Sequence, residues 1–185
     1  MAARGASFSM PNITTPVVTD PISVVYRAIW NTLEAFPAWT ALVPPGNQLR
    51  YDTSMPFVPK QPIPNMVSDS PQVAIVQRAF RMSVGRNSAA VDIEQEFPIY
   101  IVSKDMGSIG INQLKWQTFR ALFAGNATLG TTGILRQWML TNTADDGFAD
   151  SMWKKTRKVW QSVVSVQCQI YVPNANVVSG VLPNQ

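Results

Sequence analysis

Apolar residues recur at intervals of three and four in the segment that follows Asp20, which predicts an amphipathic helix. The residues on this apolar face are Ile22, Val25, Ile29, Leu33 and Phe36. Asp20 is a suitable N-cap because its carboxylate accepts hydrogen bonds from free backbone N–H groups, and Pro21 suits the first helical position. Pro37 ends or kinks the helix, and residues 38–43 are predicted to form a further turn before the Pro-Pro-Gly sequence at 44–46.

Prolines dominate residues 44–71, which hold seven of the fourteen in the chain. This composition predicts a long extended excursion, because proline cannot continue a helix or donate to a sheet. Two interpretations stay open. The segment is a surface loop with polyproline character, or it is a strap laid on a neighbouring subunit, with Phe57 and Val58 as its contacts. Arg50 and Tyr51 are predicted to add a short edge strand.

An alternation of apolar and polar residues in the middle of the chain predicts a long β-hairpin. The apolar rows comprise Phe80, Met82 and Val84 on the first strand and Val91, Ile93, Phe97, Ile99 and Ile101 on the second. We predict that Val84 pairs with Ala89 across the loop 85–88. This register sets Met82 opposite Val91, so that both apolar rows share one face.

The beginning of the first hairpin strand has the opposite parity. Val73 and Ile75 are apolar at odd positions, whereas Met82 and Val84 are apolar at even positions. Because side chains alternate strictly along a strand, one inserted residue is needed to bring both pairs to the same face. The sequence therefore predicts a β-bulge near Gln77–Ala79.

The face opposite the apolar rows carries carboxylates at Asp92, Glu94 and Glu96. Paired carboxylates can perform acid–base chemistry, but a two-residue period is that of the solvent side of a strand, and no second functional group is positioned beside them. The predicted register also places Arg81 opposite Asp92 as a cross-strand partner. We interpret the row as a solvated face, with the lining of a ring lumen as an alternative.

A second helix is predicted over residues 109–124, with Ser108 as its cap and Gly125 as the left-handed residue past its end. Its apolar face comprises Ile111, Leu114, Phe119, Leu122 and Phe123. Trp116 falls beside the centre of this face, so it is either a rim residue of the core or an intersubunit anchor. Trp39 is a further candidate for contact between subunits.

The last third of the chain predicts strands at residues 134–142 and Val159–Val172, with residues 143–157 interrupting the pattern. On the final strand, alternate positions that share one face are mostly apolar. They are Trp160, Val164, Val166, Cys168, Ile170 and Val172. The opposite face of this strand is polar and includes Gln161, Gln167 and Gln169. Cys168 is therefore expected to be a buried thiol; a nucleophile would need a base and an exposed, electropositive site.

The amino-acid composition of the chain disfavours several classes of function. The 185 residues contain no His and one Cys, so the commonest acid–base, nucleophilic and metal-binding groups are nearly all missing. Charged residues make up 14%, below the ~25% usual in soluble domains, while hydrophobic residues make up 46%. We expect no cofactor, no metal, no signal peptide and no membrane span. A single Cys fits a reducing cytosol, and work by shape and contact is favoured over catalysis.

The net charge is +4, and the densest basic patch of the chain comprises Lys154, Lys155, Arg157 and Lys158. Such a run is usually a solvated loop. Contact with nucleic acid or with an acidic partner is the alternative.

These patterns together predict an α+β fold with one domain over residues 20–172. It contains a mostly antiparallel sheet with a long hairpin, two main helices packed on the sheet, and the Pro-rich excursion at 44–71. Residues 1–19 and 173–185 are extended N- and C-terminal arms without a period long enough to bury a face of their own. We expect both arms and the excursion to be ordered mainly by neighbouring subunits.

The order of these elements resembles that of the tail-terminator and tail-completion proteins at the neck of tailed bacteriophages. The segments that carry the resemblance are IWNTLEAF, VAIVQRAFRMSV, AVDIEQEFPIYIVSKD, INQLKWQTFRALFAG and VWQSVVSVQCQIYV, within about residues 20–172. The likeness lies in element order and hydrophobic pattern. The Pro-rich excursion and the longer arms depart from the family pattern.

The resemblance implies a non-enzymatic virion protein that is assembled in the host cytoplasm. It implies a homo-oligomeric ring of six subunits, contacts with tail tube and head connector proteins, and DNA passing through the lumen. The alternative function is a basic module that binds nucleic acid or an acidic partner during packaging or assembly.

Overall fold

The computed structural model describes residues 20–50, 71–77, 81–84, 90–103, 107–125, 135–141, 151–154 and 159–173. The α-helices in these ranges are α1 (Pro21–Glu34), α2 (Pro37–Thr40) and α3 (Gly107–Ala124). The strands are β1 (Gln48–Leu49), β2 (Gln72–Ile75), β3 (Arg81–Val84), β4 (Ala90–Ser103), β5 (Leu135–Thr141), β6 (Ser151–Lys154) and β7 (Val159–Pro173). All seven strands belong to one mixed sheet, which confirms the α+β fold.

The centre of the sheet is the antiparallel pair β4 and β7, which stays in register from Ala90 opposite Pro173 to Ser103 opposite Trp160. Strands β2 and β3 follow one another along the outer side of β4, and β5 and β6 do the same along β7. The short β1 extends the sheet in parallel beside β2. The sheet is therefore mostly antiparallel, as the alternating pattern predicts.

One face of the sheet is covered by α1 and α3. The main core lies between these two helices and the sheet. Val25, Ile29 and Leu33 of α1 are fully buried there, which confirms the apolar face of the first helix. The Asp20 carboxylate caps α1, since it accepts hydrogen bonds from the backbone N–H groups of Ile22 and Ser23, each at 3.0 Å. The chain turns at Ala35 and re-enters a helix at the predicted proline, giving α2.

The hairpin register differs from the prediction by two residues. Val84 lies opposite Val91 and Met82 opposite Ile93, so the predicted pairing of Met82 with Val91 is wrong. Met82 and Val91 still share a face, because a slip of two preserves the alternation of side chains. The alternation of apolar residues predicts which face of the sheet they occupy. It does not predict which residues of the two strands lie opposite each other. The same slip places Arg81 opposite Glu94 rather than Asp92.

The register on the two sides of the predicted bulge differs by the one residue that a bulge requires, while residues 78–80 themselves lie outside the described part of the chain. Ile75 lies opposite Ile99, and Arg81 lies opposite Glu94. Between these two pairs the chain has five residues, 76–80, where β4 has four, 95–98. This one extra residue is what turns the odd-numbered apolar row of β2 into the even-numbered row of β3.

Both ends of α3 differ from the sequence-based expectation. The helix begins at Gly107, whose φ is +63°, so Ser108 lies inside the first turn and is not the N-cap. Among the glycines in the described ranges, the positive φ belongs to Gly107 and not to Gly125. Gly125 is required for a different reason, because a Cβ there would lie 2.1 Å from Cγ2 of Thr32 on α1. A side chain at position 125 would therefore require Thr32 or the end of α3 to shift.

Other strand predictions have mixed outcomes. The strands at 134–142 and 159–172 are confirmed as β5 and β7. Strand β6 lies in the segment that was expected to interrupt the pattern, and β1 ends one residue before Arg50. Arg50 instead pairs with Glu34 and stacks over the Trp30 ring, 5.2 Å from its centroid.

Several predictions lie outside the described residues. These are the arms at 1–19 and 174–185, the excursion at 51–70 with Phe57 and Val58, the residues Phe80 and Ala89, and the basic residues Lys155, Arg157 and Lys158.

Candidate functional site

The outward face of α3 carries a row of exposed apolar side chains. Ile109 is 83% exposed, Trp116 is 61% exposed and Phe123 is 66% exposed. They are spaced by seven residues, which is nearly two turns, so the row runs almost straight along the helix. Phe119 lies between the last two, half-buried, with its ring edge-on to Trp116 at a centroid distance of 6.5 Å.

The inward face of α3 is also apolar. Its buried residues Ile111, Leu114, Ala121 and Leu122 belong to the main core. The expectation that Phe123 joins this face is wrong, because a residue next to Leu122 is turned about 100° away from it. A helix that is apolar on two sides is normally covered on two sides. The outward row is therefore the strongest candidate for an interaction surface.

Helix α1 differs from α3 in the residues on its exposed face. It has a similar buried face, but its exposed positions include the polar residues Arg27 and Asn31. Packing one face of α1 against the core buries its large apolar side chains. Helix α3 also packs one face against the core, but three of its large apolar side chains remain exposed to water.

A groove continues the apolar row of α3 onto the sheet. Phe123, Trp138, Met139 and Leu140 line an open space of about 430 Å³. The rings of Phe123 and Trp138 lie 5.8 Å apart between centroids. Met139 is 51% exposed. The apolar surface thus extends from α3 to Trp138 of strand β5, whereas Met139 lies opposite Gln167 on the polar face of the sheet.

The opposite face of the sheet is polar and holds the predicted acidic row. Asp92 and Glu94 are exposed and Glu96 is half-buried, which places the row on the solvent side as expected. A shallow groove of about 480 Å³ runs between these strands. Side chains lining it include Arg81, Glu94, Glu96, Gln137, Gln167 and Gln169.

Arg136 of β5 contacts one end of the acidic row on β4 and an aromatic ring on β7. Its guanidinium lies 3.7 Å from an Asp92 carboxylate oxygen and 4.5 Å from the centroid of the Tyr171 ring. Arg136 sits at the irregularity between Leu135 and Gln137, and no sequence pattern distinguishes it. Both charged groups are more than half exposed, so the pair contributes little to stability.

Trp39 is not a subunit contact. It is fully buried, its indole Nε1 donates to Thr118 Oγ1 at 3.1 Å, and its ring stands edge-on to Trp30 at 6.4 Å. A single turn of helix after Pro37 carries it into the space between α1 and α3. Sequence alone does not show this, because the turn is too short to display an apolar period.

Trp116 does not fit the core-rim interpretation, and its role as an intersubunit anchor stays a prediction. Its ring contacts Phe119, but most of its surface is exposed, which is more than a core-rim residue requires. The seven-residue spacing of Ile109, Trp116 and Phe123 is present in the sequence, but the exposure of all three side chains is what identifies the row.

The basic patch has one member in the described part of the chain. Lys154 is the last residue of β6. Contact of the patch with nucleic acid or an acidic partner stays a prediction.

Cys168 lies on the core row of β7, as predicted, and burial raises the pKa of its thiol from 9.0 to about 12. A thiol that keeps its proton is a poor nucleophile. Substitution by Ser is expected to cost stability, because a hydroxyl group is more costly to bury than a thiol.

We expect this thiol to make stability fall as pH rises from about 9 towards 12. The unfolded chain releases the proton near the ordinary pKa, whereas the folded chain retains it, so deprotonation favours unfolding in this window. Urea unfolding at about pH 8 and about pH 10.5 measures the loss, with Cys168→Ala as the variant that lacks the titrating group. Equal losses in the two proteins would contradict the assignment.

Within the described ranges, no group of three or more His, Cys, Asp or Glu residues is placed to hold a metal ion. No helix in the same part of the chain is both long and apolar enough to cross a membrane.

Comparison of the chain with protein-family models and with curated proteins finds no match.

Proposed function

We propose that the chain is a non-enzymatic structural subunit of a virion, which assembles with itself into a ring at the neck of a tailed bacteriophage. In this role it is a tail terminator or neck protein that joins the tail tube to the head connector. The proposal extends the resemblance in element order to the function of the family.

The observation that carries the proposal is the outward face of α3. Three large apolar side chains in one row, continued by the contact of Phe123 with Trp138, are costly to leave in water and are typical of a surface that meets another protein. The low charge content of the chain agrees with a protein that buries part of its surface in an assembly.

The polar face of the sheet fits the surface that a ring would turn towards its lumen. The carboxylates of Asp92 and Glu94 are exposed there, among the amides of Gln137, Gln167 and Gln169. Carboxylates repel phosphate groups, so DNA would pass such a surface without being held by it.

Sedimentation of the purified chain tests the proposal. We expect a single oligomeric species whose mass is the same at about 50 mM and about 200 mM salt, because apolar contacts are not screened by ions. A fluorescent DNA duplex added to the same samples is expected to sediment separately. A monomer that binds DNA with an affinity falling steeply over this salt range would contradict the proposal and favour the basic-module alternative.

A further inference from the structure

We propose that neighbouring subunits join through the two edges of the sheet, with strand β3 of one copy pairing antiparallel with strand β5 of the next. This inference rests on the proposed ring, and it names the contact that closes the ring. The contact joins two different surfaces, so each subunit uses its β3 edge on one side and its β5 edge on the other. A head-to-tail contact of this kind can close into a ring, whereas a two-fold contact only pairs two subunits.

The two edges lie at the same level of the sheet, on opposite sides of the central strands β4 and β7. One row across the sheet contains Arg81, Glu94, Gln169 and Gln137, one residue from each of β3, β4, β7 and β5. Among the strands in the described ranges, none lies beside the outer side of β3 or of β5. The backbone of an edge strand directs N–H and C=O groups away from its own sheet, where a further strand can pair with them.

The strand directions allow the two edges to pair without a break in the antiparallel pattern. Strand β3 runs antiparallel to β4, β4 runs antiparallel to β7, and β7 runs antiparallel to β5. Because three reversals separate them, β3 and β5 run in opposite directions. A rotation about an axis roughly along the strands preserves these directions, so β5 of one subunit meets β3 of the next as an antiparallel neighbour.

The apolar side chains at the two edges lie on the same face of the sheet, the one that the helices cover. At the β3 edge, Met82 is more than half exposed, although Ile93 opposite it on β4 is buried. At the β5 edge, Leu135 occupies the same row as Met82, and Trp138 occupies the next row with Phe123 of α3 against its ring. Pairing the edges places Met82 beside Leu135 and next to the two rings, which removes apolar surface from water on both subunits.

The opposite face is polar at both edges. Arg81 and Ser83 are exposed on β3, and Gln137 is exposed on β5. Arg81 shares its row with Gln137, whose amide oxygen can accept a hydrogen bond from the guanidinium. The guanidinium of Arg136 is directed towards Asp92 of its own subunit, so the two arginines do not oppose each other.

Neither edge has the features that normally keep an edge strand from pairing with another chain. Protected edges carry proline or lysine and few exposed apolar side chains. Strands β3 and β5 contain no proline and no lysine, and each has an exposed methionine, Met82 or Met139. A second copy is the occupant that covers both edges with one contact, whereas a strand from a different protein would cover one edge and leave the other open.

The test is cross-linking of two cysteines, one at each edge. In a Cys168→Ala background, a chain that carries Ser83→Cys and Gln137→Cys is treated with a short bis-maleimide. We expect a ladder of covalent species that ends at the full ring, because each subunit is joined to a neighbour on both sides. The matched control carries Asn31→Cys, at an exposed position of α1, in place of Gln137→Cys, and it is expected to stay monomeric on a denaturing gel. A ladder that stops at the dimer, or an equal ladder in the control, overturns the edge contact.

Met82→Asp measures the same contact by sedimentation equilibrium. The added carboxylate would have to be buried against apolar side chains of the neighbour, so we expect the mass of one chain with unchanged circular dichroism. Asn31→Asp adds the same charge on α1 and is expected to keep the wild-type mass. A folded Met82→Asp with the wild-type mass overturns the edge contact and leaves the ring, whereas a wild-type monomer removes both proposals. If Met82→Asp does not fold, the cross-linking result decides.

Discussion

Replacing Trp39 by Ala is expected to lower the free energy of unfolding by about 3–5 kcal/mol, the usual cost of deleting a fully buried indole. Trp39 fills the space between α1 and α3, against the ring of Trp30. Its loss leaves a cavity that the two helices cannot close without shifting on the sheet. Urea unfolding followed by circular dichroism, at one fixed protein concentration, measures the change.

Trp39→Phe is the matched control for this prediction. It keeps an aromatic ring in the core but removes the donor to Thr118, whose hydroxyl still donates to the Leu114 carbonyl at 3.0 Å. We expect a smaller loss of about 1–2 kcal/mol. If Trp39→Ala altered the oligomer and left the stability of the subunit unchanged, Trp39 would be a subunit contact after all.

Gly125→Ala is expected to lower the free energy of unfolding by about 1–3 kcal/mol through overpacking. The added methyl would lie 2.1 Å from Thr32 Cγ2 and 3.2 Å from the Ala121 carbonyl oxygen. Thr32 cannot rotate away cheaply, because it is buried and its hydroxyl donates to the Ala28 carbonyl at 2.7 Å. The strain therefore has to be relieved by moving α3 away from α1.

Two further variants identify the cause of that loss. Thr32→Ser keeps the hydroxyl and removes Cγ2, so the double variant with Gly125→Ala is expected to recover at least half of the stability, a coupling that a double-mutant cycle measures. Gly46→Ala adds a methyl where nothing lies within 4 Å, and it is expected to change stability little. A loss in Gly125→Ala that Thr32→Ser leaves intact would show that the close approach is not its cause.

Features that depend on periodicity were predictable from the sequence. The apolar face of α1, the strands β5 and β7 and the burial of Cys168 follow from intervals of two or of three and four residues. The bulge between β2 and β3 also follows, because an inserted residue is what reverses the parity of the apolar positions within one ribbon.

Features that depend on distance between elements were not predictable. The hairpin register differs from the predicted one by two residues, a change that leaves every side chain on its face and therefore leaves no trace in the pattern. The role of Gly125 depends on how closely α1 and α3 approach, and no local rule for helix ends contains that distance.

The interaction surface is only partly visible in the sequence. Trp116 stands out because it falls beside the buried stripe, but the pattern alone does not group Ile109 and Phe123 with it. An apolar residue on a helix is first assigned to the core, and the structure is needed to show that the core side of α3 is already filled by Ile111, Leu114 and Leu122.

The central claim is that this chain assembles with itself into a closed ring, and negative-stain images of the purified protein test it most directly. We predict ring-shaped particles of uniform diameter with a central opening, formed by the 20.4 kDa chain alone. A field of isolated particles of monomer size, at a concentration where sedimentation also gives the mass of one chain, would contradict it.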